Sequence, residues 1–152
     1  MSNEFVVPRH ARSAEQLAAL HEISDRGECP FCLENLFKTH SNPILLEDEY
    51  WVVTLNQWPY KNLSNHFLGI SKVHAEQLID LPAQAGLGLL SLAQQLEKRY
   101  GIQSATLFMR FGDPLYNGSS VNHLHFHIIV PDINDTSWDK IRVNLGSKPN
   151  YK

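Results

Sequence analysis

Three histidines, His123, His125 and His127, alternate with apolar residues in the last third of the chain. Side chains of a β-strand point alternately to its two faces, so on a strand the three imidazoles share one face while Leu124 and Phe126 pack on the core. Like-facing imidazoles repel one another when protonated and contribute little to stability. The spacing therefore indicates chemistry, either metal ligation by His-x-His or attack of an imidazole on phosphorus.

The residues that come just before this segment favour phosphorus chemistry. Gly118, Ser119 and Ser120 offer backbone N–H groups and hydroxyls, which together can cradle an anion. We expect them to form a loop that holds a phosphate beside the histidines.

The only two cysteines, Cys29 and Cys32, form a Cys-Pro-Phe-Cys sequence with three interpretations. A redox pair normally follows a strand and opens a helix, whereas here a polar helix and Gly27 precede it. Two buried structural cysteines are the second interpretation. The third and favoured one is half of a tetrahedral zinc site that histidines complete.

Length and composition limit the class of protein. A chain of 152 residues fits one domain, which we divide into an N-terminal helix (1–28), a core (29–131) and a C-terminal tail (132–152). The net charge of -3 argues against a partner such as duplex nucleic acid. We expect no membrane span, signal peptide or disulfide framework, and therefore a cytoplasmic location.

Hydrophobic periodicity predicts the elements that must position these residues. Ser13 and Gln16 form a capping box, and Gly27 ends the helix that they begin. Another helical pattern runs from Pro82 to Gly101. Strands are predicted at 43–47, 50–56, 66–71, 105–111 and 122–130, with a loop over 112–120. This order of elements predicts an α+β fold with an antiparallel sheet. The isolated histidines are expected at the surface: His10, His21 and His40.

Three segments resemble one known family. His123 to Ile129 resembles the His-φ-His-φ-His-φ-φ signature of the histidine triad (HIT) superfamily, where φ is apolar. Asn65 to His74 is similar to that family's His-φ-φ-φ-φ-Pro-Lys-x-His strand, with Ser71 in the place of the proline. Asn56 to Tyr60 is similar to the Asn-x-x-Pro-Tyr segment of members that cleave dinucleoside polyphosphates. The resemblance covers roughly Cys29 to Pro131.

This resemblance implies a HIT-like fold, with about five antiparallel strands and two main helices, whose sheet is joined across a homodimer. It implies cleavage at the α-phosphorus of dinucleoside polyphosphates or nucleoside phosphoramidates through a nucleotidyl-histidine. By position, His125 is the nucleophile, while His127 contacts phosphate and helps to protonate the leaving group. Ser120 helps to hold the phosphate, and Asn56 binds the ribose.

Nucleotide binding is also expected at Asn117, Gly118 and Ser119. One departure from the family stands nearby, because Gly112 occupies a position where many members have the asparagine of Asn-x-Gly. Either Asn117 or Asp113 could supply the lost contact.

A zinc-containing subset of HIT proteins has the same Cys-x-x-Cys, and the match implies Cys29, Cys32, His66 and His123 as ligands. The zinc would be structural and would support the nucleophile through His123. No magnesium requirement is expected. Three alternatives stay open: a dinucleoside polyphosphate phosphorylase or nucleotide transferase, a nucleotide-binding regulatory module with little turnover, and a hydrolase that uses the triad as zinc ligands.

Overall fold

Alternating and continuous apolar runs form one five-stranded antiparallel sheet in the computed structural model, which describes residues 4–148. The strands are β1 (Ile44–Glu47), β2 (Trp51–Leu55), β3 (Leu63–Ser71), β4 (Thr106–Met109) and β5 (His125–Pro131). Their order across the sheet is β1-β2-β3-β5-β4. The predicted α+β class and the number of strands are confirmed. The extreme ends of the predicted N-terminal segment and tail, 1–3 and 149–152, lie outside the described residues.

The helices are α1 (Ala14–Arg26), α2 (Leu33–Thr39), α3 (Ala83–Tyr100) and α4 (Pro114–Asn117), with 3₁₀ turns at Pro8–His10 and Leu78–Asp80. The two main helices, α1 and α3, lie where they were predicted. The Ser13 hydroxyl accepts a hydrogen bond from the Gln16 amide, and Gly27 ends α1 with a φ of 64°. The short helices α2 and α4 were not predicted, since neither is long enough to show a periodic pattern.

One face of the sheet packs on α3 and forms the larger core, which includes Trp51, Phe67, Phe126, Leu92 and Leu96. The Phe126 ring lies over Gly69, its register partner on β3. A Cβ atom on Gly69 would lie 2.1 Å from that ring, so this position requires a residue without a side chain.

The opposite face carries the histidines, because His125 pairs with Ile70 and His127 pairs with Leu68. The period-two prediction is therefore correct for His125 and His127. This face is not open to solvent, because α1 and α2 cover it with two smaller apolar clusters. The relative exposure of His123, His125 and His127 is 3%, 5% and 4%.

The first triad histidine lies outside the strand, since β5 begins at His125. The segment 121–124 is held instead by a bridge between Val6 and Val121 and by hydrogen bonds to the end of β3. His123 therefore projects from a turn at the end of the sheet.

The tail that follows β5 contacts the loop that precedes β5. The Arg110 guanidinium donates to the Asn144 carbonyl, and the Ser147 amide donates to the Tyr116 carbonyl at 2.6 Å. Within 4–148, no helix is both long and apolar enough to cross a membrane.

Candidate active site and metal site

A cavity lies between the histidine face of the sheet, α1 and the loop 118–121. Part of its wall is apolar and consists of Leu20, Ile23, Pro30, Phe31 and Leu68. Another part is polar and consists of Asn56, Arg110, Gly118, Ser120, His125 and His127. A wall that combines apolar side chains with cationic and imidazole groups suits a ligand that has both a flat ring and a phosphate.

A backbone carbonyl group fixes the orientation of the His125 ring. Its Nδ1 lies 2.6 Å from the carbonyl oxygen of His123. A carbonyl can only accept, so Nδ1 carries the proton and Nε2 keeps its lone pair. Burial lowers the pKa of His125 to about 4, which keeps the ring neutral near pH 7. A neutral imidazole that lines a cavity with a fixed tautomer is suited to nucleophilic attack.

His66 and His127 form a hydrogen-bonded pair on the same face. The Tyr60 amide donates to His66 Nδ1 at 3.2 Å, so His66 carries its proton on Nε2. His66 Nε2 lies 2.9 Å from His127 Nδ1 and donates to it. His127 must then carry its own proton on Nε2, and this buried atom has no protein partner among the described residues. The pair presents an N–H donor to the cavity.

This pairing corrects the prediction that His66 is a zinc ligand. His66 pairs with Ile129 in the sheet register, on the far side of His127 from the cysteines. Burial lowers the pKa of His66 to about 3, and the same cause lowers the pKa of His127 well below its ordinary value. Both rings are therefore neutral, and of the two only His127 lines the cavity.

Only part of the loop before the triad faces the cavity. Gly118 and Ser120 line it, and their contact with phosphate stays a prediction. Asn117 and Ser119 do not, because the Asn117 amide donates to two loop carbonyls and the Ser119 hydroxyl donates to the Val121 carbonyl at 2.8 Å. Asp113 caps α4 through the Leu115 amide. Neither Asn117 nor Asp113 therefore takes the place of the family asparagine in the cavity wall.

Asn56 lines the cavity beside His66, as the ribose assignment requires. Its side-chain oxygen accepts from the Trp58 amide at 2.8 Å, and its amide nitrogen lies 3.3 Å from His66 Nε2. The predicted surface position of His40 is wrong. His40 is buried and bonded to the Thr54 hydroxyl at 2.9 Å, because α2, which was not predicted, carries it into the cavity wall.

Four side chains meet at the turn that precedes β5: Cys29, Cys32, His74 and His123. Their donor atoms all lie within 4.8 Å of one another. The Nδ1 atom of His123 lies 3.3 Å from Cys29 Sγ, and the two Nδ1 atoms of His74 and His123 lie 3.2 Å apart. In a tetrahedral zinc site with Zn–S of about 2.3 Å and Zn–N of about 2.0–2.1 Å, neighbouring donors are about 3.3–3.8 Å apart. The donor set therefore fits zinc.

The outer nitrogen of His123 supports this assignment. His123 Nε2 lies 2.8 Å from the Ser71 carbonyl and donates to it, which leaves the lone pair of Nδ1 directed at the cysteines. Ser71 occupies the position of the family proline, and its backbone provides this acceptor. The predicted ligands Cys29, Cys32 and His123 come together, and His74 takes the place predicted for His66.

The antiparallel register explains this exchange. β3 runs towards the beginning of β5, so the residues after Ser71 lie beside His123, while His66 lies opposite Ile129. His74 stands at the end of the matched strand segment, so the sequence already contained it as a candidate ligand. The match implied His66 instead, and the ends of strands, which decide between the two histidines, cannot be placed accurately from one sequence.

A redox role for the cysteine pair does not fit this environment. Both thiols are free, and burial raises the pKa of Cys29 to about 12. Reactive cysteines need a lowered pKa. The pair instead suits metal ligation, in which the ion favours the thiolate.

Two arginines in the cavity wall were not predicted. Arg12 lies over the Tyr60 ring at 4.1 Å from its centroid, and Arg110 donates to the Tyr60 hydroxyl at 3.3 Å. Arg12 precedes α1, and Arg110 follows β4, so they come together only in the folded chain. No short motif could have found them.

The HIT domain family model matches residues 38–134, and the chain belongs to this family. A histidine triad nucleotide-binding protein from Candida albicans aligns with 20% identity over 76% of this chain and 86% of its own, with a TM-score of 0.57. A histidine triad protein from Clostridium difficile aligns with 21% identity over 80% and 96%, with a TM-score of 0.51. The comparison with curated proteins found no match.

A third similar structure is the diadenosine triphosphate hydrolase of Plasmodium falciparum in complex with cyclomarin A. It aligns with 21% identity over 66% of this chain and 65% of its own, with a TM-score of 0.51. These likenesses confirm the predicted HIT-like fold.

Proposed function

We propose that this HIT protein cleaves nucleotides at the α-phosphorus through a nucleotidyl-histidine on His125. The observation that carries the proposal is the 2.6 Å contact between His125 Nδ1 and the His123 carbonyl, which leaves Nε2 of a neutral ring as the nucleophile. The candidate substrates are dinucleoside polyphosphates and nucleoside phosphoramidates.

In the first step, His125 Nε2 forms a bond to the α-phosphorus while the bond from phosphorus to the leaving group breaks. The Nε2–H of neutral His127, which has no partner among the described residues, donates a hydrogen bond to the leaving group. A phosphate chain then departs as its anion, and an amine takes its proton from the solvent. The Ser120 hydroxyl and the N–H groups of the loop stabilise the charge on the phosphoryl oxygens. In the second step, water attacks the phosphorus, the P–N bond breaks and its electron pair returns to Nε2 of His125. The nucleoside monophosphate leaves with the hydroxyl of the water, and the other proton of the water passes to the solvent.

Zinc at Cys29, Cys32, His74 and His123 would be structural. When bound, it supplies a fixed cross-link between the start of α2, the end of β3 and the turn before β5. His123 then holds its backbone carbonyl where His125 Nδ1 needs it. The chain's own residues bind and cleave the nucleotide.

The exposed edge strand supports a homodimer that joins two sheets. β4 lies at the edge of the sheet, and Leu107 on it is 45% exposed. Leu87 and Leu90 of α3 are also exposed, at 70% and 52%. An open strand edge beside exposed leucines is a surface on which a second copy of the chain can pair. The two free cysteines support a reducing compartment such as the cytoplasm.

The test is incubation with diadenosine tetraphosphate and with an adenosine phosphoramidate, followed by chromatography of the products. We expect AMP from both, and a mass increase of the protein by one nucleotidyl group when the reaction is quenched in alkali. His125→Ala should abolish turnover, while His21→Ala, at an exposed position on α1, should not change it. Full activity of His125→Ala would refute the nucleophile. Nucleotide binding without any product would favour a regulatory module, and ADP formed from added orthophosphate would favour a phosphorylase.

A further inference from the structure

A second groove lies beside the catalytic cavity and has a volume of about 440 Å³. The start of α1, the turn 58–62 and the tail at 140–142 form its walls. The groove and the cavity share four lining residues: Arg12, Gln16, Trp58 and Tyr60. A ligand whose α-phosphorus lies at His125 can therefore extend past Arg12 into this groove.

The groove is cationic although the whole chain has a net charge of -3. Its wall contains four cationic side chains: Arg12, Lys61, Lys140 and Arg142. Of the residues between 4 and 148 that line it, none is acidic. Clustered charge of one sign in a concave surface raises the local concentration of ligands of the opposite sign.

At the boundary between the groove and the cavity, no described carboxylate neutralises the two arginines. Arg110 Nε is buried and has no partner among the described residues, and neither Arg110 nor Arg12 has an ion pair with a described carboxylate. Burial lowers the pKa of Arg12, and the nearby Arg110 lowers it further. Two neighbouring guanidinium groups, one of them incompletely bonded, are costly unless an anion joins them.

We infer that this groove is a subsite for the phosphates of the leaving group, so that the substrates are nucleotides whose leaving group is itself a chain of phosphates. The inference rests on the proposed function and narrows its substrate class. Arg12 and Arg110 contact the phosphates nearest to the α-phosphorus, and Lys61, Lys140 and Arg142 contact those further along. Dinucleoside polyphosphates fit this description. A phosphoramidate of a cationic amine does not, because its leaving group would be repelled by the same residues.

The experiment compares two substrates in the full chain. The double variant Lys140→Gln/Arg142→Gln removes two cations of the groove without touching the catalytic cavity, and Lys98→Gln removes an exposed cation on α3, outside both sites. Steady-state kinetics are measured with diadenosine tetraphosphate and with unsubstituted adenosine 5′-phosphoramidate. We expect the double variant to raise KM for the tetraphosphate by about tenfold, as loss of charge-assisted contacts does. Values for the phosphoramidate should change less than twofold.

Direct binding of inorganic tripolyphosphate, measured by isothermal titration calorimetry, gives a second measurement that does not depend on turnover. The native chain and Lys98→Gln should bind it equally, and the double variant more weakly, with a smaller dependence on salt. Unchanged KM and unchanged tripolyphosphate binding in the double variant would overturn the subsite while leaving the nucleotidyl-histidine proposal intact. A native chain that turns over neither substrate contradicts the proposed function, and tripolyphosphate binding then still reports on the groove.

Discussion

His66 Nε2 lies 2.9 Å from His127 Nδ1, so a histidine outside the triad decides which nitrogen of a triad ring is protonated. The relation depends on the Tyr60 amide, which occupies the other nitrogen of His66. A positioning role for His66 follows, because it contacts the ring proposed to donate a hydrogen bond to the leaving group and not the α-phosphorus.

Replacing His66 should therefore slow the reaction by an amount that depends on how poor the leaving group is. We expect His66→Leu to lower kcat for an amine leaving group by roughly 10- to 100-fold, the size usual when a group that orients an active-site histidine is lost. The p-nitrophenyl ester of AMP, whose leaving group needs no proton, should react nearly as fast as with the native chain. His66→Gln keeps an N–H donor and should recover part of the loss. An equal loss with both substrates would contradict the positioning role.

Stability should depend on pH through the same residue. The pKa of His66 is about 3 in the folded chain, against an ordinary value of 6.5. The unfolded chain therefore binds more protons, so the contribution of His66 to stability is present above pH 6.5 and is lost as pH falls towards 3. Urea unfolding between pH 7.5 and 5 should show a slope for His66→Gln that is shallower than that of the native chain by up to about 1.4 kcal/mol per pH unit. His21→Gln, at an exposed position, should keep the native slope.

Metal content should separate His74 from His66. We expect the native chain to contain one zinc ion per chain, as measured by elemental analysis of dialysed protein. His74→Ala removes a ligand and should lose most of this zinc, whereas His66→Ala should keep it. Chelation should lower the melting temperature of the native chain, because the cross-link between three elements is lost. Loss of zinc from His66→Ala but not from His74→Ala would show that the ligand set is wrong.

The contact between Gly69 and Phe126 should make a small substitution costly. Gly69→Ala places a methyl group 2.1 Å from the Phe126 ring in a filled core, and overpacking of this kind costs about 1–3 kcal/mol. We expect a fall of several degrees in melting temperature by calorimetry. Gly86→Ala, in α3 with no atom within 4 Å of the new Cβ, should raise stability slightly. Equal effects at both positions would contradict the packing argument.

The exposed edge of β4 should control association. Leu107→Glu places a charge at the strand edge, and we expect it to convert the proposed dimer into a monomer in sedimentation equilibrium. Leu33→Glu, at an exposed leucine on α2, is the matched control and should leave association unchanged. A native chain that is monomeric at high concentration would refute the dimer.

The sequence was most informative where period and chemistry coincide. The shared face of His125 and His127, the cap at Ser13 and the order of the main helices and strands along the chain follow from alternation and turn chemistry, and the structure confirms them. It was least informative where contacts depend on strand register. The choice of His74 over His66 needed the pairing of β3 with β5, because both histidines belong to the same matched segment.

Residues far apart in the chain were beyond any motif. Arg12 and Arg110 meet at Tyr60 because an N-terminal turn, a strand end and a loop converge there. His40 enters the cavity wall directly after a seven-residue helix that gives no periodic signal. Tertiary packing places these residues in the site, and no local pattern in a single sequence indicates that packing.

Three of the four cations of this groove stand outside the segment that matches the family, since Arg12 precedes 38–134 and the tail with Lys140 and Arg142 follows it. Most of the charge that selects a leaving group thus lies on stretches of polypeptide other than the sheet that holds His125. Exchanging only the tail with that of another HIT protein should change substrate preference while the cleavage machinery stays in place.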